Sequence, residues 1–172
     1  MSATDRTLII LRHAKSDYPP GVPDHQRPLN RRGRRDAPAA GRWLAESGHR
    51  IERAVVSTAE RTRQTWALAA EQLGESVPTR FDERIYLASW GQLLQVVAEC
   101  PEEVATLALV GHNPGCEDLA AGLAGPGSES GLLARMEVKY PTSAIAVLSL
   151  NDPWSKLRPA GAALRSFVVP RG

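Results

Sequence analysis

Two arginines and two histidines in this chain follow short apolar runs closely enough to share one ligand. Leu8-Ile9-Ile10-Leu11 leads directly into Arg12-His13. Ala54-Val55-Val56 leads into Ser57 and then Arg61, and the apolar run 106–110 leads through Gly111 into His112. Runs of that kind read as buried strands, and in open α/β sheets ligands bind just beyond the carboxyl ends of strands. Guanidinium forks match phosphate oxygens bidentately, and a helix N-terminus adds backbone N–H donors and partial positive charge. The natural ligand of Arg12, Arg61 and His112 together is therefore a phosphoryl group. A neutral imidazole is also a nucleophile toward phosphorus. If one ring nitrogen of His13 donates to a backbone carbonyl, the other is free to attack. Phosphoryl transfer then needs mainly positioning and charge stabilisation. Two histidines and a carboxylate could instead hold zinc, but two arginines in the same pocket would repel a cation. No metal and no cofactor are expected.

The elements that must bring these residues together alternate along the chain. Residues 7–11 read as a strand, 17–28 as a proline-rich loop, and 30–47 as a helix stopped by Gly48. Ala37, Ala40, Trp43 and Leu44 fall at helical spacing there, while Pro38 predicts a kink or a later start. A strand at 54–56 precedes Ser57-Thr58-Ala59-Glu60, which reads as a capping box opening a helix to about 73. Residues 78–82 read as a third strand and 89–100 as an amphipathic helix carrying Leu93, Leu94, Val96 and Val97. After the strand 106–110, Asn113 is a good N-cap and Pro114 a good first residue for a helix to 123. Residues 125–140 carry no assignable pattern. The segments 144–150 and 164–169 read as strands with no crossover helix between them, so they are expected to pair antiparallel. This order predicts an α/β fold: a three-layer α/β/α sandwich on a mostly parallel sheet with an antiparallel C-terminal strand. A single domain over residues 1–172 is expected.

Composition limits the partners. A hydrophobic content of 42% and a charged content of 23% are ordinary for a soluble globular chain. A net charge of +2 is too near neutral to indicate a nucleic-acid protein. The densest basic cluster, Arg31-Arg32-Gly33-Arg34-Arg35, reads first as a solvated helix face and second as a means of steering anionic ligands. Cys100 and Cys116 lack Cys-x-x-Cys spacing, which points away from a zinc knuckle or redox pair and fits a reducing compartment. The run 8–11 is too short for a secretory leader, and nothing approaches the ~20 apolar residues of a membrane span. A cytoplasmic protein with neither nucleic-acid nor membrane partners is expected.

A departing oxygen needs a proton, and a carboxylic acid near the pocket could supply it. Glu83, in Phe81-Asp82-Glu83-Arg84-Ile85-Tyr86, is the first candidate, Asp82 the second, and Asp17 and Asp24 weaker options. Asn113 joins the expected phosphate ligands, and Lys15, Ser16 and Arg27 are possible substrate contacts. None of the three main groups is decisive alone. An Arg-His pair after a strand is more often a surface turn, Ser57 to Arg61 alone is an ordinary helix start, and Gly111 to Gly115 alone is an ordinary strand-to-helix turn. Their equivalent topological positions carry the reading.

At this point the residues match a known family. Leu11-Arg12-His13-Ala14 resembles the Arg-His-Gly signature of the histidine phosphatase superfamily, also called phosphoglycerate-mutase-like. Ser57-Thr58-Ala59-Glu60-Arg61-Thr62-Arg63-Gln64-Thr65 resembles its second arginine motif, and Val110-Gly111-His112-Asn113-Pro114-Gly115 its second histidine motif. Asp24-His25-Gln26-Arg27-Pro28-Leu29 and Tyr140-Pro141-Thr142-Ser143-Ala144 are similar to stretches of the short SixA-like branch, the phosphohistidine phosphatases. The resemblance implies an α/β/α sandwich, no metal, a phosphorylated His13, and Arg12, Arg61 and His112 as the phosphoryl ligands. Ala14 replaces the usual glycine, and Pro19 stands where the mutases often carry asparagine, which points away from a mutase pocket. Glu83 matches the mutase pattern of an acid followed by Arg and a nearby Tyr, although a phosphohistidine leaving group demands less of a proton donor. The short chain leaves little room for insertions over the site, so an open rim could admit a protein or a small ester. The resulting expectation is a metal-independent phosphatase acting on a phosphoester or phosphohistidine through a covalent intermediate on His13. The alternatives are a non-catalytic phospho-ligand binding module on the same fold, or a phosphomutase.

Overall fold

Strand β1 (Arg6–Arg12) buries its side chains alternately on two sides of a sheet: Leu8 and Ile10 join one apolar cluster, Ile9 and Leu11 a second. A strand that is apolar on both faces requires helices on both sides. The computed structural model describes residues 5–172. Strands β2 (Arg53–Ser57), β3 (Thr79–Asp82), β4 (Thr106–Gly111), β5 (Ile145–Leu150) and β6 (Ala163–Val168) complete a six-stranded sheet in the order β3-β2-β4-β1-β5-β6. The first four strands in sequence run parallel, whereas β5 is antiparallel to β1 and β6 to β5. Helices α1 (Arg31–Glu46) and α2 (Glu60–Ala70) bring Leu44 and Trp66 against Ile9 and Leu11. On the other face, α3 (Trp90–Ala98) and α4 (Gly115–Leu123) bring Leu93, Val96 and Leu119 against Leu8 and Ile10. The expected α/β/α sandwich follows from that two-sided burial.

Register decides what meets at the sheet's edge. Arg12 of β1 pairs opposite Gly111 of β4, and Val56 of β2 opposite Val110. The carboxyl ends of β2, β4 and β1 therefore lie side by side, and the residues at or just past them are Ser57, His112 and Arg12-His13.

Several local expectations need correction. Helix α1 does not start late: it runs from Arg31 through Pro38 to Glu46, capped by the Asn30 side chain, which accepts the Gly33 N–H at 2.9 Å. Ser57 is not an N-cap. Pairing opposite Asp82 holds it extended as the last residue of β2, so α2 starts at Glu60 and ends at Ala70. The capping box in this region of the chain is instead Ser89 with Gln92, at the head of α3. Pro114 rather than Asn113 occupies the cap position of α4, although Asn113 Oδ1 still accepts the Glu117 N–H at 3.3 Å. The unassigned stretch holds α5 (Ser130–Val138), in which Met136 alone is buried, so it offers almost no apolar periodicity to read.

The loop after β1 is fixed by close packing. Asn30 N–H donates to Lys15 O at 3.0 Å, and a Cβ at Gly33 would lie 2.1 Å from that same oxygen. Replacing glycine by alanine inside a helix ordinarily stabilises by ~0.5–1 kcal/mol. Here the clash reverses the sign. Gly33→Ala is expected to destabilise by about 1–3 kcal/mol, the usual cost of overpacking, read as a lower urea midpoint. A raised midpoint would show that α1 does not press on Lys15.

Candidate active site

His13 sits one residue past β1 with its backbone held from two sides. Its N–H donates to Gly111 O at 3.0 Å, and its carbonyl accepts the Ser143 N–H at 3.1 Å. Its Nδ1 lies 2.7 Å from Ala14 O. A carbonyl oxygen only accepts, so Nδ1 carries the proton and Nε2 the lone pair. The rings of His13 and His112 are 5.4 Å apart between centroids, and each residue is 7% exposed. His112 Nε2 lies 2.8 Å from Ser57 Oγ, which also accepts the Ala59 N–H at 3.3 Å. Assigned from this network, the Ser57 hydroxyl donates to Nε2, and the His112 ring proton resides on Nδ1.

The arginines are anchored through part of their guanidinium groups. Arg12 Nη1 donates to Tyr140 O at 2.9 Å. Arg61 Nη1 donates to Asp24 O at 2.7 Å, and its Nη2 to Asp24 Oδ2 at 3.2 Å. The Nε atoms of Arg12 and Arg61 and the Nδ1 of His112 are buried without a protein hydrogen-bond partner. An unsatisfied buried donor costs ~1–3 kcal/mol. Three such nitrogens on residues that converge at one rim suit an oxygen-rich anion.

Burial also sets the charge states. Desolvation lowers the His13 pKa to about 3, with further depression from His112 and Arg61. Desolvation and then Arg61 lower His112 to about 3 as well. Both rings are neutral at pH 7. Asp24 moves the other way in charge: the Tyr86 hydroxyl, followed by Arg61, lowers its pKa to about 2 and keeps it ionised.

The other expected site residues are distributed differently. Glu83 is exposed on a 3-10 turn (Glu83–Ile85), and its side chain makes no hydrogen bond or ion pair with Arg12, His13, Arg61 or His112 among the described residues. Asp82 is buried against Arg84 at 2.7 Å and Arg80 at 3.4 Å, and the Arg84 hydrogen bond lowers its pKa, the reverse of what a proton donor requires. Asn113 has its amide occupied by Tyr140 O and Glu117 Oε2, both at 3.1 Å. Arg27 holds the loop from within: it donates to Ser16 Oγ and Asp17 O at 3.1 Å and to Asp24 Oδ1 at 3.0 Å. Lys15 is exposed.

Three rim residues are absent from the sequence-based set. His25 Nε2 lies 2.9 Å from Thr58 Oγ1, and its ring stands edge-on to Tyr86 at 4.8 Å. Tyr86 in turn stands edge-on to His112 at 5.5 Å. No periodic pattern marks these residues. The available signal was the place of His25 in Asp24-His25-Gln26-Arg27-Pro28-Leu29, the stretch that resembles the SixA-like branch.

Comparison with known proteins agrees with this geometry. The histidine phosphatase superfamily (branch 1) profile matches residues 8–118, the stretch that holds Arg12, His13, Arg61 and His112. An uncharacterized protein of Mycobacterium tuberculosis is 41% identical over 162 residues, covering 94% of this chain and 100% of its own length. The proposed phosphohistidine phosphatase SixA of Nakamurella multipartitia superposes with a TM-score of 0.88 at 33% identity, covering 99% of each chain. The corresponding protein of Agrobacterium tumefaciens gives a TM-score of 0.80 at 29% identity, covering 96% of this chain and 98% of its own. The chain is a phosphatase belonging to the histidine phosphatase superfamily, branch 1, within its SixA-like group.

Proposed function

We propose that this phosphatase removes a phosphoryl group from a protein phosphohistidine through a covalent intermediate on His13 Nε2. The observation that carries the mechanism is the 2.7 Å contact of His13 Nδ1 with Ala14 O, which leaves Nε2 unprotonated and rigidly held. In this reading the three non-bridging oxygens of the phosphoryl group accept from Arg12 Nε, Arg61 Nε and His112 Nδ1, the buried nitrogens that lack protein partners. His13 attacks phosphorus in line, the leaving group departs on the opposite side, and water then displaces His13. Charge builds on the equatorial oxygens, where fixed donors stabilise it without reorganisation.

The substrate class rests on two supports. The Nakamurella and Agrobacterium relatives are proposed SixA phosphohistidine phosphatases, and the exposed arginines 31, 34 and 35 sit on the α1 turn whose Gly33 packs on Lys15, just past His13. Such a stripe raises the local concentration of an anionic partner. Cys100 and Cys116 are free and buried, which fits a cytoplasmic setting. Among the described residues no helix is long and apolar enough to cross a membrane.

The test is a panel of phosphohistidine peptides, phosphosugars, nucleotides and aryl phosphates with His13→Ala as the blank. Loss of at least about 10³-fold in kcat/KM is expected, with phosphohistidine peptides the best substrates. Unchanged hydrolysis by His13→Ala would sink the mechanism, and tight phosphate binding without turnover by the parent would favour a binding module.

The neutral histidines also predict a pH dependence of stability. An unfolded histidine titrates near 6.5, whereas His13 and His112 titrate at about 3 when folded. Between those values the unfolded chain binds more protons, so stability is full above about 6.5 and declines as pH falls. Unfolding at pH 5 should therefore take up about two protons more in the parent than in His13→Gln/His112→Gln, read from the pH slope of urea-derived stability. Equal slopes between pH 5 and 7 would mean that these imidazoles are not held neutral.

A further inference from the structure

The leaving group needs a proton, and the carboxylates around the site are poorly placed to give one. Asp24 is ionised by its contacts with Tyr86, Arg61 and Arg27. Asp82 is tied to Arg84 and Arg80. Glu83 is exposed on its turn and, among the described residues, makes no side-chain bond to the Arg-His group. His25 differs from all three. It belongs to the 3-10 turn Asp24–Gln26, which Arg61 pulls across the rim through both Asp24 O and Asp24 Oδ2. Thr58 Oγ1 and the Tyr86 edge fix its ring. Thr58 directly follows Ser57, the partner of His112, and Tyr86 bridges the rings of His25 and His112. Thr58 engages Nε2, while Nδ1 makes no hydrogen bond among the described residues.

From this geometry we infer that His25 is the proton donor and acceptor of the reaction, acting through Nδ1. The inference rests on the phosphohistidine mechanism above and extends it. In the first step the His13 Nε2 lone pair forms the N–P bond as the bond from phosphorus to the leaving atom breaks, that atom being the imidazole nitrogen of a phosphohistidine or the oxygen of an ester. The leaving atom takes the Nδ1 proton of the His25 imidazolium, whose Nε2–H remains on Thr58 Oγ1. In the second step a water oxygen bonds to phosphorus, the N–P bond breaks with its electrons returning to His13, and the water proton passes to His25 Nδ1. The imidazolium is restored and no other reactant is consumed. In-line attack puts the leaving atom on the side away from His13, and Arg61 holds the Asp24–Gln26 turn at the rim. The charged and titratable groups facing His25 are Asp24 on its own turn, Arg61 from α2, Tyr86 from the turn after β3, and His112 from the end of β4. Histidine is the side chain whose charge ordinarily changes between pH 5 and 8, and positioned proton transfer contributes ~10²–10⁴-fold.

The experiment compares kcat/KM for phenyl phosphate, a poor leaving group, with 2,4-dinitrophenyl phosphate, a good one. The ratio reports the steps up to formation of the phosphoenzyme. His25→Gln should lose about 10²-fold on phenyl phosphate and less than about threefold on dinitrophenyl phosphate. It should also lose the alkaline limb of the pH profile for phenyl phosphate. Asp24→Asn, which loosens Arg61 instead, should depress both substrates together, so a displaced turn is distinguishable from a lost proton. Equal losses on the two esters in His25→Gln, or the leaving-group signature appearing in Glu83→Gln in its place, would overturn the assignment of His25. Neither result touches the nucleophile: failure of that reading would appear as His13→Ala retaining turnover of dinitrophenyl phosphate.

Discussion

The site depends on one constraint, the clamping of the chain at His13 where β1 ends. Gly111 O takes its N–H, the Ser143 N–H takes its carbonyl, and Ala14 O takes its ring proton. The first two bonds continue the pairing of β1 with β4 and with the segment before β5. The role proposed for His13, that of a nucleophile, requires a near-attack geometry to gain from proximity. Here a six-stranded sheet with apolar residues on both faces supplies that rigidity. The ring bond adds direction, because it decides which nitrogen has the lone pair. Moving the register by one residue would turn Arg12 and its neighbours each to the other face of the sheet and dissolve the site.

The second organising feature is charge at a largely buried rim. Two guanidinium groups and two neutral imidazoles converge there, where desolvation and then Arg61 depress the protonation of His112. Without an anion this arrangement is costly, and Asp24 partly relieves it by engaging Arg61. Asp24 thereby couples Arg27 and Ser16 of the loop to Arg61, since Arg27 grips both Ser16 and Asp24. The loop after β1 is in this sense part of the electrostatic design of the pocket.

Much of this was legible in the chain. Leu8-Ile9-Ile10-Leu11 and the run 106–110 are apolar at every position, which only a sheet covered on both sides explains. Arg12, His13, Arg61 and His112 could then be placed on one rim before any coordinates. What failed was local pattern reading overridden by pairing. Ser57-Thr58-Ala59-Glu60 has the letters of a capping box, but the bridge from Ser57 to Asp82 keeps it in β2 and frees its hydroxyl for His112. Helix α5 has too narrow an apolar face to announce itself. The contacts of His25 and Asp24 with Thr58, Arg61 and Tyr86 join segments 33, 37 and 62 residues apart in sequence, and no periodicity encodes such meetings.

The central claim is that phosphorus passes through His13 Nε2, which makes the reaction two successive in-line displacements. The most direct measurement is the stereochemical course at phosphorus, using a phosphate ester made chiral with oxygen isotopes and following transfer to an acceptor alcohol. Two displacements invert the centre twice, so the account predicts net retention of configuration. Net inversion would mean a single displacement by the acceptor itself and would contradict a covalent role for His13.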